Sequence, residues 1–286
     1  MTSGIREPHP PTRPDPDAES LPLTRADTRT LRGVTALTDV RAHRLQGHVV
    51  LVTGGARGQG ASHAQRLAHE GATVWACDVL DADGAALAAR FEGEELDVRY
   101  RHLDVTSPDG WAAVVAEIEA AHGRLDGLVN NAGIIHVNPL EEETLDAWNS
   151  LLAVNVTGAL LGLQTCLPLL RRSSGAAVVN VASIFGAVGA PGYVAYCASK
   201  GALAALTKVA ALELAGDGIR VNTLVPGGVS TPMNEHEKEG GVVPDTPLRR
   251  RAHVSELSAA VAFLLSSDAS FVTGTELVVD GGFLAR

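Results

Sequence analysis

From His48 onward, short runs of β-branched residues alternate with longer stretches whose apolar residues recur at helical spacing. "HVVLVTGG" reads as a strand closed by glycine, "ASHAQRLAHEG" as a helix stopped by Gly71, and "ATVWACD" as a second strand. The alternation continues through "VRYRHLDV", "WAAVVAEIEAAHG", "LDGLVNNAG", the long apolar stretch "LDAWNSLLAVNVTGALLGLQTCLPLL" and "GAAVVNVAS". It ends with "YCASKGALAALTKVAALELAG", "IRVNTLVPGG", "VSELSAAVAFLLSSD" and "TELVVDGG". This pattern predicts a single α/β domain, a Rossmann-type doubly wound parallel sheet of about seven strands with helices on both faces. Ligands of such a sheet bind beyond the carboxyl ends of its strands.

Residues 1–45 break the pattern. "REPHPPTRPDPDAES" is rich in proline and charge and too poor in apolar side chains to offset the entropy of ordering. It predicts a flexible arm ahead of a domain over residues 46–286. The arm has no apolar core for a secretory signal, and its acids are foreign to an organellar transit peptide, so the expected location is the cytoplasm. No membrane association is expected.

Composition changes little in this picture. With 45% hydrophobic and 20% charged residues over 286 positions, the chain has ordinary globular composition. The formal charge of -10 speaks against a nucleic-acid surface, and the one basic run, "LRRRA", reads as a solvated approach to a helix. Cys77, Cys166 and Cys197 are far apart and lack metal-ligand spacing, so neither a disulfide nor a metal site is expected.

Candidate chemistry begins at "TGGARGQG", between the first strand and the first helix. Gly54, Gly58 and Gly60 let the backbone turn tightly and approach a pyrophosphate, whose charge is favoured at a helix N-terminus. Asp78 ends the second strand 24 residues after Gly54. A carboxylate there accepts from a ribose 2′-OH and repels a 2′-phosphate, which favours NAD over NADP, with Arg57 in the turn as the opposing consideration. Asp104 in "LDVT" and "NNAG" over 130–133 follow the third and fourth strands; each taken singly is also ordinary turn chemistry. Further on, Tyr196 and Lys200 in "YCASK" share one helix face at i and i+4, which is either packing or chemistry. Ser183 stands thirteen positions before Tyr196.

Together these segments resemble the short-chain dehydrogenase/reductase family. The resemblance rests on "TGGARGQG", "NNAG", Asn155 in "AVNVTG", Ser183, "YCASK" and the loop "VPGGVSTPM", and it covers residues 45–286. Among members, "GGARGQGASHAQ", "CDVLDADG", "LDVT" and "TGTELVVDGG" look most like the bacterial NAD-dependent 3α(or 20β)-hydroxysteroid dehydrogenases. Gln59 stands where many members carry Ile or Leu. The resemblance implies a catalytic set of Asn155, Ser183, Tyr196 and Lys200. It implies cofactor contacts from the first turn (Gly54, Arg57, Gly58, Gln59 and Gly60) and from the next three strand ends (Asp78, Asp104, Val105, Asn131, Ala132 and Gly133). Tyr196, Lys200, Pro226, Gly227, Val229 and Thr231 complete the implied NAD site.

Hydride exchange between a secondary alcohol and nicotinamide requires a proton to leave or join the alcohol oxygen. A free tyrosine, with a pKa of about 10, is a poor base near neutral pH, but an adjacent ammonium and a cationic nicotinamide favour phenolate. Ser183 would hold the substrate oxygen. By the resemblance, Lys200 also binds the nicotinamide ribose and Asn155 fixes a water linking Lys200 to solvent. The segments over 184–194 and 230–248 are expected to wall the pocket, and neither carries a paired cationic clamp for an anionic substrate. The expected activity is therefore oxidation of an uncharged alicyclic or steroid-like alcohol, or reduction of the matching ketone. An NADPH-dependent 3-oxoacyl-thioester reductase and a non-catalytic nucleotide sensor are the alternatives. The resemblance also implies a homotetramer, whose expected contacts are the surplus apolar surface on two long helices and the tail at Phe283 and Leu284.

Overall fold

A computed structural model of the protein describes residues 43–234 and 241–285. The expected arm therefore lies outside the described residues up to position 42, as do residues 235–240 of the expected pocket loop. Seven parallel strands form one sheet: β1 (Val49–Thr53), β2 (Thr73–Asp78), β3 (Val98–His102), β4 (Gly127–Asn130), β5 (Ala177–Val181), β6 (Arg220–Pro226) and β7 (Glu276–Val279). Their spatial order is β3-β2-β1-β4-β5-β6-β7, so the chain works outward from β1, returns to its other side at β4, and works outward again.

The helices between the strands cover both faces. α1 (Gly58–His69), α2 (Asp81–Gly93) and α7 (Val254–Leu265) lie on one side, while α3 (Pro108–His122), α5 (Gly158–Leu170) and α6 (Val194–Leu214) lie on the other. The alternation of β1 sets the two cores. Val50 and Val52 belong to the core cluster that holds Leu67 of α1 and Val261 of α7, whereas Val49 and Leu51 belong to the one that holds Trp111 and Ile118 of α3 and Leu163 of α5. β7 closes one edge of the sheet and carries Glu276, which Lys208 of α6 pairs at 2.6 Å.

Packing reaches ahead of the boundary expected at 46. Leu45 is 1% exposed, and Arg44 makes two bonds of 2.7 Å to Glu70, a carboxylate fully buried at the end of α1 and also bonded by Arg66 at 2.5 Å. Two guanidinium groups on one buried carboxylate meet the condition under which a charge tolerates burial. The helix α2, not singled out by its apolar spacing, buries only Gly84, Leu87 and Phe91.

The long stretch expected as one helix is three pieces: α4 (Leu145–Leu152), a single π-turn (Ala153–Thr157) and α5. By length and composition Leu145–Leu170 would suffice to cross a membrane. Its Leu151, Leu163, Cys166, Leu169 and Leu170 are instead buried in the domain core.

Between α1 and α7, His63 is fully buried; its Nδ1 lies 3.0 Å from Ser258 Oγ and its Nε2 has no partner among the described residues. Burial pushes its pKa down to about 3 from 6.5. Because the folded value is depressed, the unfolded chain binds this proton first. The contribution to stability is complete above pH 6.5 and is lost as pH falls toward 3. His63→Leu should therefore flatten the acid side of the stability curve by up to about 1.4 kcal/mol per pH unit. Urea unfolding of both proteins at pH 7 and pH 5 measures this, and equal losses of stability would contradict it.

Candidate active site

The strand order reverses between β1 and β4, and the crevice expected at such a reversal is present. Ladder pairing of these strands stops at Val52 and Val129. Beyond it, Thr53 Oγ accepts from the backbone N–H groups of Asn131 and Ala132 at 3.0 Å, and Asn131 Nδ2 donates to the carbonyls of Thr53 and Gly54 at 2.9 and 3.2 Å. Gly54 has φ +64, and a Cβ there would sit 2.9 Å from Ala132 Cα; one on Gly60 would sit 2.0 Å from Gly54 O. Only glycine meets both constraints.

A cavity of about 450 Å³ opens over this turn. Its walls include Gly54, Arg57, Gly58, Gln59, Gly60, Asp78, Asp104, Val105, Asn131, Ala132, Gly133 and Thr231, all of them expected cofactor residues. Leu80, Leu103, Ile134, Val154 and Met233 add apolar walls that were not among the expected site residues. α1 begins at this cavity with no acid in its first turn, as an anion site at a helix N-terminus requires. Asp78 is 9% exposed and held by backbone: Oδ1 accepts from Val79 and Leu80, and Oδ2 from Ala56 at 3.1 Å, which leaves Oδ2 able to accept once more. Asp104 Oδ1 accepts from the backbone N–H and the hydroxyl of Thr106, which hold its pKa below the usual carboxylate value.

A smaller cavity of about 70 Å³ adjoins the first, sharing Gln59, Thr231 and Met233. Ser183, Tyr196, Pro226, Gly227 and Val229 face it, with Ile135, Ile184, Phe185 and Val242. Ser183 follows β5 in an extended conformation and accepts from Phe185 N at 3.2 Å. Tyr196 and Lys200 lie in the first two turns of α6, with Lys200 Nζ 5.6 Å from the Tyr196 ring centre. Lys200 is 4% exposed and donates to Val181 O at 2.8 Å; burial lowers its pKa to about 8, so it is cationic at pH 7.

Asn155 reaches this group from the π-turn. Its Oδ1 accepts from Ile134 N at 2.8 Å, while Nδ2 donates to Ile134 O at 3.0 Å and Ser199 Oγ at 3.1 Å. A Cβ on Gly133 would lie 3.3 Å from Asn155 Oδ1 and 3.5 Å from Lys200 Nζ, so glycine leaves open the space between them. Ser199 and the residues following "NNAG" were missed by sequence reasoning. Their signal was adjacency, Ser199 inside "YCASK" and Ile134 directly after Gly133.

The residues present fit a dinucleotide. The glycine turn leaves the approach open, and Gln59 Oε1, on a side chain shared by both cavities, is buried without a partner among the described residues. A family model described as "Enoyl-(Acyl carrier protein) reductase" matches residues 54–284. The chain belongs to the short-chain dehydrogenase/reductase family. A cyclopentanol dehydrogenase of Comamonas testosteroni is 42% identical over 248 residues, covering 85% of this chain and 99% of the relative. A 3-alpha-(or 20-beta)-hydroxysteroid dehydrogenase of Mycobacterium tuberculosis is 43% identical over 242 residues, covering 85% of this chain and 91% of the relative. Among solved structures, a gluconate 5-dehydrogenase from Burkholderia cenocepacia, in complex with NADP and tartrate, superposes with a TM-score of 0.81 at 33% identity. That match covers 85% of this chain and 98% of the other. This member of the family is accordingly an oxidoreductase of the alcohol dehydrogenase and ketone reductase type, working with a nicotinamide cofactor.

Proposed function

We propose that the protein is an NAD-dependent dehydrogenase of uncharged alicyclic or steroid-like secondary alcohols, also able to reduce the matching ketones. The observation that carries this reading is the small cavity lined by Ser183 and Tyr196, backed by Lys200, opening onto the larger cavity at the glycine turn. Bound in the larger cavity, the dinucleotide supplies the carbon that takes or gives the hydride. Ser183 Oγ holds the alcohol oxygen, and Tyr196 takes its proton during oxidation and returns it during reduction. The Lys200 ammonium beside the ring favours phenolate and so brings Tyr196 toward neutral pH. Lys200 would also hold the nicotinamide ribose. Asn155 positions a water toward Lys200, a role supported by the space left at Gly133.

The substrate class is supported by the lining of the smaller cavity. Ile135, Ile184, Phe185, Val229 and Val242 are apolar, and no described lining residue is charged. The named activities of the cyclopentanol and hydroxysteroid relatives point the same way. NAD is favoured by Asp78 at the ribose end; NADP is favoured by Arg57 in the same cavity and by the bound cofactor of the gluconate dehydrogenase. A reducing cytoplasm suits three free cysteines, two of them buried.

Assembly as a homotetramer is supported by apolar side chains left at the surface of the two expected helix systems. Leu145 of α4 is 77% exposed and Leu212 of α6 is 82% exposed, and Leu160 of α5 and Val209 of α6 are exposed as well. Phe283 and Leu284, expected beside a neighbouring subunit, pack within this chain against the cluster of Ala182, Ile184 and Val225. The tail therefore braces the substrate wall of its own chain.

Tyr196→Phe should retain the fold and NAD binding and lose turnover by at least about a hundredfold, as removal of a general acid-base predicts. Oxidation of cyclohexanol followed at the nicotinamide absorbance tests the whole reading, and near wild-type turnover in the variant would refute the role of Tyr196. Asp78→Ala should narrow the ratio of kcat/KM for NAD over NADP by about tenfold or more. An unchanged ratio would move cofactor choice to Arg57. Light scattering at micromolar concentration should give about four times the 29.7 kDa chain mass, and a stable, active monomer would contradict the assembly.

A further inference from the structure

We propose that His136, Asn138 and Glu143 form a clasp that fixes both walls of the smaller cavity and so sets the bulk of alcohol it accepts. The inference rests on the assignment of that cavity to the substrate. The segment 134–143 follows Gly133, three residues beyond the end of β4, with Ile134 on the larger cavity and Ile135 on the smaller. Immediately beyond, the chain folds back on a carboxylate. Glu143, its side chain 7% exposed, receives His136 Nε2 at 2.9 and 3.1 Å and Asn138 Nδ2 at 3.1 Å. An ionised carboxylate only accepts, so the Nε2 of His136 carries the proton in this bond.

Asn138 also ties this segment to the opposite wall. Its N–H donates to Gly192 O at 2.9 Å, and it forms an isolated parallel bridge with Tyr193. Gly192 has φ +83, and a Cβ there would lie 2.9 Å from Val137 Cγ1, so the two loops touch where a larger residue would separate them. The Tyr193 ring packs 5.3 Å from the Phe185 ring, and Phe185 faces the smaller cavity. A continuous set of contacts therefore runs from Ile135 on one wall, through the carboxylate and the bridge, to Phe185 on the other.

Neither His136 nor Glu143 lines either cavity or bonds to Ser183, Tyr196 or Lys200. Their effect on the reaction passes through wall position alone, which makes them positioning residues. A ring that touches both walls senses a shift of either, whereas a small acyclic alcohol held at its oxygen does not.

The test compares cyclohexanol with 2-propanol in the full-length wild type, His136→Ala, Glu143→Ala and Glu143→Gln, with melting temperature as a control. The two alanine variants should lose about tenfold or more in kcat/KM for cyclohexanol, through KM, while kcat/KM for 2-propanol changes less than about twofold. Glu143→Gln keeps an acceptor oxygen for His136 and Asn138 and should restore most of the cyclohexanol value. Parallel losses on both alcohols, or no loss on either, would overturn the clasp while leaving the catalytic reading intact. Failure of the wild type on both alcohols would overturn that reading and the clasp with it.

Discussion

Where β1 and β4 part, the sheet ladder stops at Val52 and Val129, and the peptide groups beyond it must find partners off the ladder or cost about 1–3 kcal/mol each. Thr53 and Asn131 supply those partners, the hydroxyl accepting two N–H groups and the carboxamide donating to two carbonyls. This seam holds the ends of two diverging strands together while the chain turns into α1. Gly54 lies against Ala132 and Gly60 lies against Gly54, so the seam and the turn fit only as a unit. The larger cavity, proposed for the dinucleotide, is the space that the seam keeps from closing.

The second constraint is a buried cation. Lys200 is held almost out of water by the carbonyl at the end of β5, and burial, which disfavours its charged form, lowers its pKa. A charge in this position needs surroundings that cannot relax around it. Asn155 provides part of them by gripping the backbone of Ile134 through both its oxygen and its nitrogen, as a neighbouring strand would. The π-turn makes this possible, because one wide turn between α4 and α5 shifts the helix phase and brings a polar residue of an apolar stretch to the sheet edge. Ser199 links the Asn155 carboxamide to the Tyr196 carbonyl, so the first turn of α6 is fastened to the same frame.

Strand positions and the glycine turn were legible because each follows from a local rule: β-branched runs make buried strands, and a strand-glycine-helix junction leaves N–H groups free. Tyr196 and Lys200 were legible as a helical pair, but their meaning came from the other motifs in register with them. The π-turn was not legible, since "AVNVTG" has helical apolar spacing on both sides and nothing in it marks an extra residue per turn. The helix at Asp81–Gly93 was obscured for another reason: Gly84 sits in its first turn to admit the Tyr100 ring, and glycine reads as a helix breaker. The pairing of Glu143 with His136 and Asn138 had no sequence signal, because "EEE" at 141–143 presents three equal carboxylates and only the fold buries one.

In the proposed site, cofactor choice would turn on how firmly two opposed side chains are held at the mouth of the larger cavity. Asp78 is fixed from three directions by backbone N–H groups, and Tyr100 braces the same strand end by bonding Asp78 O at 2.7 Å. Arg57 is exposed at the start of α1 and has no side-chain partner among the described residues. To meet a 2′-phosphate, Arg57 must be ordered from solvent, at a rotamer cost of up to about 2 kcal/mol. In the proposed site the carboxylate would meet a ribose with its geometry already set. A 2′-phosphate would also face Asp78 at close range, and the backbone bonds leave that carboxylate little freedom to turn away. The proposed preference for NAD thus rests on rigidity as much as on charge, since the gluconate dehydrogenase neighbour carries NADP on the same fold.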